Sequence, residues 1–120
     1  MLRMSHLMLA LLTASALLAL SCNNSPTVPL PPPDMTSVSY TPPDDDGFVT
    51  VTGEPESAEP DSIVLLFNET QGHGVMETAA DNGAFEASVM ASPGNTLELQ
   101  VTDQDKLSDI RYIVVTEPQQ

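Results

Sequence analysis

With 17 acidic side chains against three basic ones in 120 residues, the chain has a formal net charge of −14, which excludes electrostatic gripping of nucleic acid or anionic lipid. A single cysteine excludes a disulfide within one molecule, so stability must come from a hydrophobic core. With no Trp, three Phe and two Tyr, the chain lacks the rings for an aromatic sugar-binding platform.

The first residues, Met1-Leu2-Arg3-Met4-Ser5-His6, carry one basic side chain and no acid. Leu7 to Leu20 follow, apolar except for Thr13 and Ser15. These are the charged and apolar regions of an export signal. The run falls short of the roughly 20 apolar residues that a membrane-spanning helix needs, and no basic flank follows it. A plain signal with a leftover thiol and an uncleaved anchor are the competing readings. A lone exposed thiol is a liability in an oxidising compartment.

The junction reads Ala19-Leu20-Ser21-Cys22, with the sole cysteine at its end. It resembles the lipobox of bacterial lipoproteins, with Ala19 where the family most often has Leu. The resemblance implies cleavage between Ser21 and Cys22, and a diacylglyceryl group on the Cys22 thiol. One acyl chain anchors marginally and several anchor stably. Residues 1–21 are thus expected to be removed, leaving Lys106 and Arg111 against 17 acids, a net charge of −15. Asn23 after the cysteine, by resemblance to enterobacterial sorting, points to the outer membrane of a bacterial cell envelope.

Residues 22–35 contain Asn23-Asn24-Ser25-Pro26-Thr27-Val28-Pro29-Leu30-Pro31-Pro32-Pro33. Prolines fix φ and favour extended polyproline II, so the segment is expected to be a Pro-rich tether without a fold of its own. A ligand for proline-reading domains is the alternative use of such a run.

Residues 36–118 change pattern. Short β-prone runs alternate with Pro, Gly, Asn and Asp, and helical periodicity is absent. Thr36 to Tyr40 is read as an edge strand, Pro42 to Gly47 as a turn and Phe48 to Gly53 as a strand. Glu54 to Asp61, with Pro55 and Pro60, is a loop. Ile63-Val64-Leu65-Leu66-Phe67 is the most apolar run after the signal and suits a central strand. Val75 to Ala80 and Ala84 to Met90 are strands flanking Asp81-Asn82-Gly83, whose Asn-Gly pair predicts a type I′ hairpin. Phe85, Ala87 and Val89 are assigned to the core, Glu86 and Ser88 to solvent. After the turn Ala91 to Asn95, Leu97, Leu99 and Val101 alternate with Glu98, Gln100 and Thr102. Asp103 to Leu107 is read as a loop and Asp109 to Glu117 as the last strand. Six or seven short antiparallel strands at this spacing predict an all-β sandwich.

Asp81-Asn82-Gly83-Ala84-Phe85, then Gly94-Asn95-Thr96-Leu97, then Val101-Thr102-Asp103 resembles bacterial immunoglobulin-like domains. That family shows a D-x-G-x-F hairpin, a G-D-x-L turn and a closing V-x-D-x-x-G-x-x-S stretch. Asn95 stands here for the Asp, Lys106 for the Gly, and Ser108 lies near the Ser position. The likeness spans Phe48 to Val115 and is similar also to carboxypeptidase regulatory-like modules. It implies a small Ig-like β-sandwich, and its motifs encode turns.

Candidate sites are few. His73, between Gly72 and Gly74, is the only His after residue 21, whereas zinc needs three or four ligands. No nucleophile stands with a base and an orienting acid, so an enzyme is not expected. Asp44, Asp45 and Asp46 in one loop and Asp103 and Asp105 in another are hard oxygen donors. A calcium site over these two loops is the second reading, since alternate loops of a sandwich meet at one end. The first reading is a non-enzymatic envelope lipoprotein. It would be held to the membrane by its lipid and would bind another envelope or extracellular protein, with no resident cofactor.

Overall fold

The computed structural model describes residues 29–118. Period-two alternation builds its layers. In β2 (Phe48–Gly53), Val49 and Val51 point inward. In β5 (Phe85–Met90), Phe85, Ala87 and Val89 do so, and in β6 (Thr96–Asp103), Leu97, Leu99 and Val101. β3 (Ile63–Asn68), beside β6, adds Val64 and Leu66. β1 (Val38–Tyr40), β4 (His73–Thr78), β7 (Lys106–Leu107) and β8 (Arg111–Val114) complete the set.

The strands form two antiparallel sheets packed as a β-sandwich. The smaller has the order β1-β2-β5. In the larger, β4-β3-β6, both β7 and β8 pair with the free edge of β6. The chain crosses between sheets after β2, β4 and β5, an immunoglobulin-like path with β4 beside β3. The eight strands occupy seven positions, because β7 and β8 are two pieces of one edge strand. Ser108 bridges the break. Its N–H donates to Val101 O (2.9 Å), and its buried hydroxyl accepts from Val101 N (2.9 Å).

One end of the sandwich is clamped by a buried amide. Asn68 Nδ2 donates across the layers to Met90 O and to Asn95 Oδ1, each at 3.0 Å. Its Oδ1 accepts from Thr70 N and Gln71 N. Asn95 Oδ1 also accepts from Ser92 N. An oxygen acceptor is what that position uses, which is why Asn serves where the resembled family has Asp. Among the described residues no buried side-chain polar atom lacks a partner.

Several local expectations differ from the fold. β1 starts at Val38 because the Asp34 carboxylate accepts from Thr36 N and Thr36 Oγ1, capping a 3₁₀ turn over Met35–Ser37. β4 spans His73–Thr78, two residues earlier than Val75 to Ala80. Gly74 opposes Phe67, and Ala79 belongs to the crossover. Asn82-Gly83 does not form a type I′ hairpin: β4 and β5 lie in different sheets. Only Gly83 of the two has positive φ (83°). Gly83 N donates to Ala80 O and Asn82 Oδ1 accepts from Ala84 N, a tight turn between layers. A Cβ on Gly83 would sit 2.3 Å from Ala58 O, and one on Gly53 would sit 2.2 Å from the Phe85 ring. The glycine and phenylalanine of the D-x-G-x-F motif therefore serve close packing.

Asp103 to Leu107 is a hairpin, with Asp103 opposite Lys106 and Gln104 at φ 55°. Non-glycine residues seldom take that conformation, so the sequence carried no turn signal there. The last strand is limited to Arg111–Val114. The described part of the tether packs on the sandwich: Leu30 joins the core at 8% exposure, Pro33 is buried, and Asp34 N donates to Ser57 O. An apolar residue among prolines buries itself when a core lies within reach.

Candidate functional site

Cys22 and Ser21 lie outside the described residues. The aspartates are described, and the fold separates them. Asp44 to Asp46 precede Phe48, which pairs with Met90 at the Asn68 end. Asp103 follows Thr102, which pairs with Ile63 at the other end of β3. About 17 Å of strand lies between, at roughly 3.3 Å per residue. The two loops therefore do not form one site. Asp44 is already engaged: its Oδ1 accepts from Asp46 N and Phe48 N, each at 2.9 Å, which closes its own loop. Among the described residues no group of three or more His, Cys, Asp and Glu is placed to hold a metal ion.

His73 begins β4 opposite Asn68. Its Nε2 lies 2.9 Å from Met90 O, and a carbonyl only accepts, so Nε2 carries the proton. The ring thus helps tie the sheets together at the clamped end and is not a free turn residue.

The distinctive surface is the outer face of the larger sheet. The register arranges it in rows. Gly74, Phe67, Glu98 and Tyr112 form one, with Met76, Leu65 and Gln100 beside it. Thr78, Ile63, Thr102 and Leu107 form the next. Beyond the first row, Thr96 pairs with Val114 and Thr96 O accepts from Glu69 N. Ile63 and Phe67 are each 40% exposed, and Met76 is 70% exposed. Tyr112, Val114 and Leu107 are exposed as well. Exposed apolar side chains clustered on adjacent rows make this face the candidate interaction surface.

Between β4, β3 and β6 this face is hollowed into an open groove of about 410 Å³. Leu65, Phe67, Gly74 and Met76 supply its apolar wall, and Glu98 with Gln100 its polar one. Gly74 makes room for Phe67, since a Cβ there would lie 2.9 Å from the Phe67 ring and 2.7 Å from Leu66 O. The Glu98 carboxyl is held above its ordinary range, first by a hydrogen bond to the Glu69 carboxyl, then by desolvation and by the Glu69 charge. Glu98 thus lines one end of an apolar groove with Glu69 next to it, and no Lys or Arg lies on the rows around them.

Sequence reading placed Ile63 to Phe67 on a central strand, and β3 is central. It did not find this face. The available signal was the unbroken apolar run itself: in a two-layer sandwich one side of every strand looks outward. No family model matches the chain, and no curated protein or solved structure is significantly similar to it.

Proposed function

We propose that the chain is a bacterial envelope lipoprotein whose sandwich is a non-enzymatic protein-binding module, held to the membrane by lipid on Cys22. The apolar outer face of the larger sheet carries the binding half of this reading. It is carried on paired strands, and its Ile63, Phe67 and Met76 side chains lie at least 40% exposed outside the core. The junction at Ser21-Cys22 carries the anchoring half. Leu30 packs on the fold, and only seven residues separate it from Cys22, a reach of at most about 28 Å. The module would then work close to the membrane, in adhesion, envelope structure or assembly with a neighbouring envelope protein.

Mass spectrometry of the membrane-extracted protein tests the anchor. The wild type should begin at Cys22 and carry glycerol with two or three acyl chains. Cys22→Ser should carry none and stay unprocessed, because a hydroxyl is a much poorer acyl acceptor than a thiolate. A wild-type protein without lipid would remove the anchoring half of the reading.

A further inference from the structure

The groove on the larger sheet has an unusual pairing of features. Its wall is apolar, yet Glu98 lines one end, and Glu69, whose N–H donates to Thr96 O two positions before Glu98 on β6, brings a second acid beside it. Like charges in contact are unfavourable, and nothing cationic on the surrounding rows relieves them. Arg111 pairs with Leu99, on the inward-facing side of the sheet, and Lys106 pairs with Asp103 at the far end.

We infer that this groove takes a segment of a partner protein that bears an apolar anchor with a Lys or Arg beside it. The anchor lies against Phe67, Leu65 and Met76, and the basic side chain reaches Glu98 and Glu69. This rests on the protein-binding reading above and names the partner's chemistry.

Charge complementarity selects this occupant. A second copy would bring its own Glu69 and Glu98 to the interface, and it carries the same 17 acids against Lys106 and Arg111. An anionic lipid surface is repelled for the same reason. Residues 22–28 of the chain itself have no charged side chain to offer the acidic end. The described chain that follows them is anchored at the opposite end of the sandwich, where Asp34 N donates to Ser57 O. A basic segment gains in two ways: burial of its anchor removes apolar surface from water, and its cation converts the repulsion between the acids into attraction. Met76 suits the role, since an unbranched thioether adapts to the shape of an anchor.

The test is photocrosslinking of the full-length lipoprotein in its own cells. Met76→p-benzoylphenylalanine probes the groove, and Glu86→p-benzoylphenylalanine is the control on the other sheet. Adducts are digested and mapped by mass spectrometry. Met76 should give a discrete adduct whose partner peptide has Lys or Arg within about two residues of the crosslinked apolar side chain. Adding Glu98→Lys should lower its yield about tenfold or more, and exchanging the partner's basic residue for Glu should restore it. Glu98→Lys removes the repulsion from Glu69, so the fold itself is expected to persist, and a melt checks this. An adduct to a second copy of this chain, or to a segment without a basic residue, overturns the inference. So does a yield unchanged by Glu98→Lys. These outcomes leave the broader protein-binding reading standing, whereas a Met76 probe no more reactive than the Glu86 control removes both.

Discussion

The two outer faces of the sandwich are equally far from the core, and they are built differently. The smaller sheet follows the expected alternation: Thr50, Thr52, Glu86 and Ser88 face out, and Thr50 Oγ1 meets Ser88 Oγ at 2.9 Å across the strand pair. Its exposed apolar residues are confined to one end, where Phe48 pairs with Met90. The larger sheet instead turns Ile63, Leu65, Phe67, Met76, Tyr112 and Val114 outward. The first face is built with polar side chains outward, whereas the second leaves large apolar ones at the surface. The difference teaches where to look for a partner.

The largest contrast is between inside and outside. Leu99 is fully buried, and Leu99→Ala should cost about 2–5 kcal/mol through lost contacts and a cavity. Denaturant melts of the soluble chain from residue 23 would measure it. An unchanged midpoint would mean that Leu99 does not face the core.

Asn68→Ala should follow, at about 1–3 kcal/mol, because it strips partners from Thr70 N, Gln71 N and Asn95 Oδ1 at the clamp between layers. The same melts report it. A cost below that of an ordinary surface change would show that water takes over the clamp.

Phe67→Thr makes the apolar face resemble the polar one. Phe67 is still partly buried against its neighbours, so about 1–2 kcal/mol should be lost, together with the Met76 crosslink. Met76→Gln is the sharper variant: stability should stay within about 0.5 kcal/mol while partner capture falls. If capture survives both changes, the contrast between the faces has no functional content.

The smallest effect is electrostatic. The folded-state value of Glu98 is raised above its ordinary 4.5. Its contribution to stability is therefore complete below the unfolded value and is lost as pH rises through the raised folded one. Glu98→Gln removes this loss. Its melting temperature relative to wild type should climb as pH rises above the ordinary glutamate range and then level off. Asp34 runs the other way: its carboxyl is lowered, first by the Thr36 hydroxyl, so its contribution fades as pH falls below the ordinary range. A flat difference for Glu98→Gln would mean that Glu69 does not hold the Glu98 carboxyl above its ordinary range.

Much of the strand pattern was legible in the chain, for a local reason. Phe85, Ala87, Val89, Leu97, Leu99 and Val101 alternate with polar neighbours, and a strand puts alternate side chains on opposite faces whatever it pairs with. The turn residues were legible as turns but not as partners. Asn82-Gly83 looks like a hairpin because hairpins and layer crossings both need a tight reversal there. Gln104 gave no signal, since its positive φ is imposed by the pairing of Asp103 with Lys106. Of the candidate sites, the aspartate loops were legible as clusters, but not their separation by the length of β3.

The sequence by itself determined the all-β character, most strand spans and the inward residues, because those depend on neighbours a few positions apart. Tertiary structure alone decided that β4 joins β3 and not β5, that Leu30 enters the core, and that Phe67, Glu98 and Tyr112 share one row. Those are pairings between residues far apart in the chain. Their register is set by how two layers close around one core, which period-two alternation leaves open.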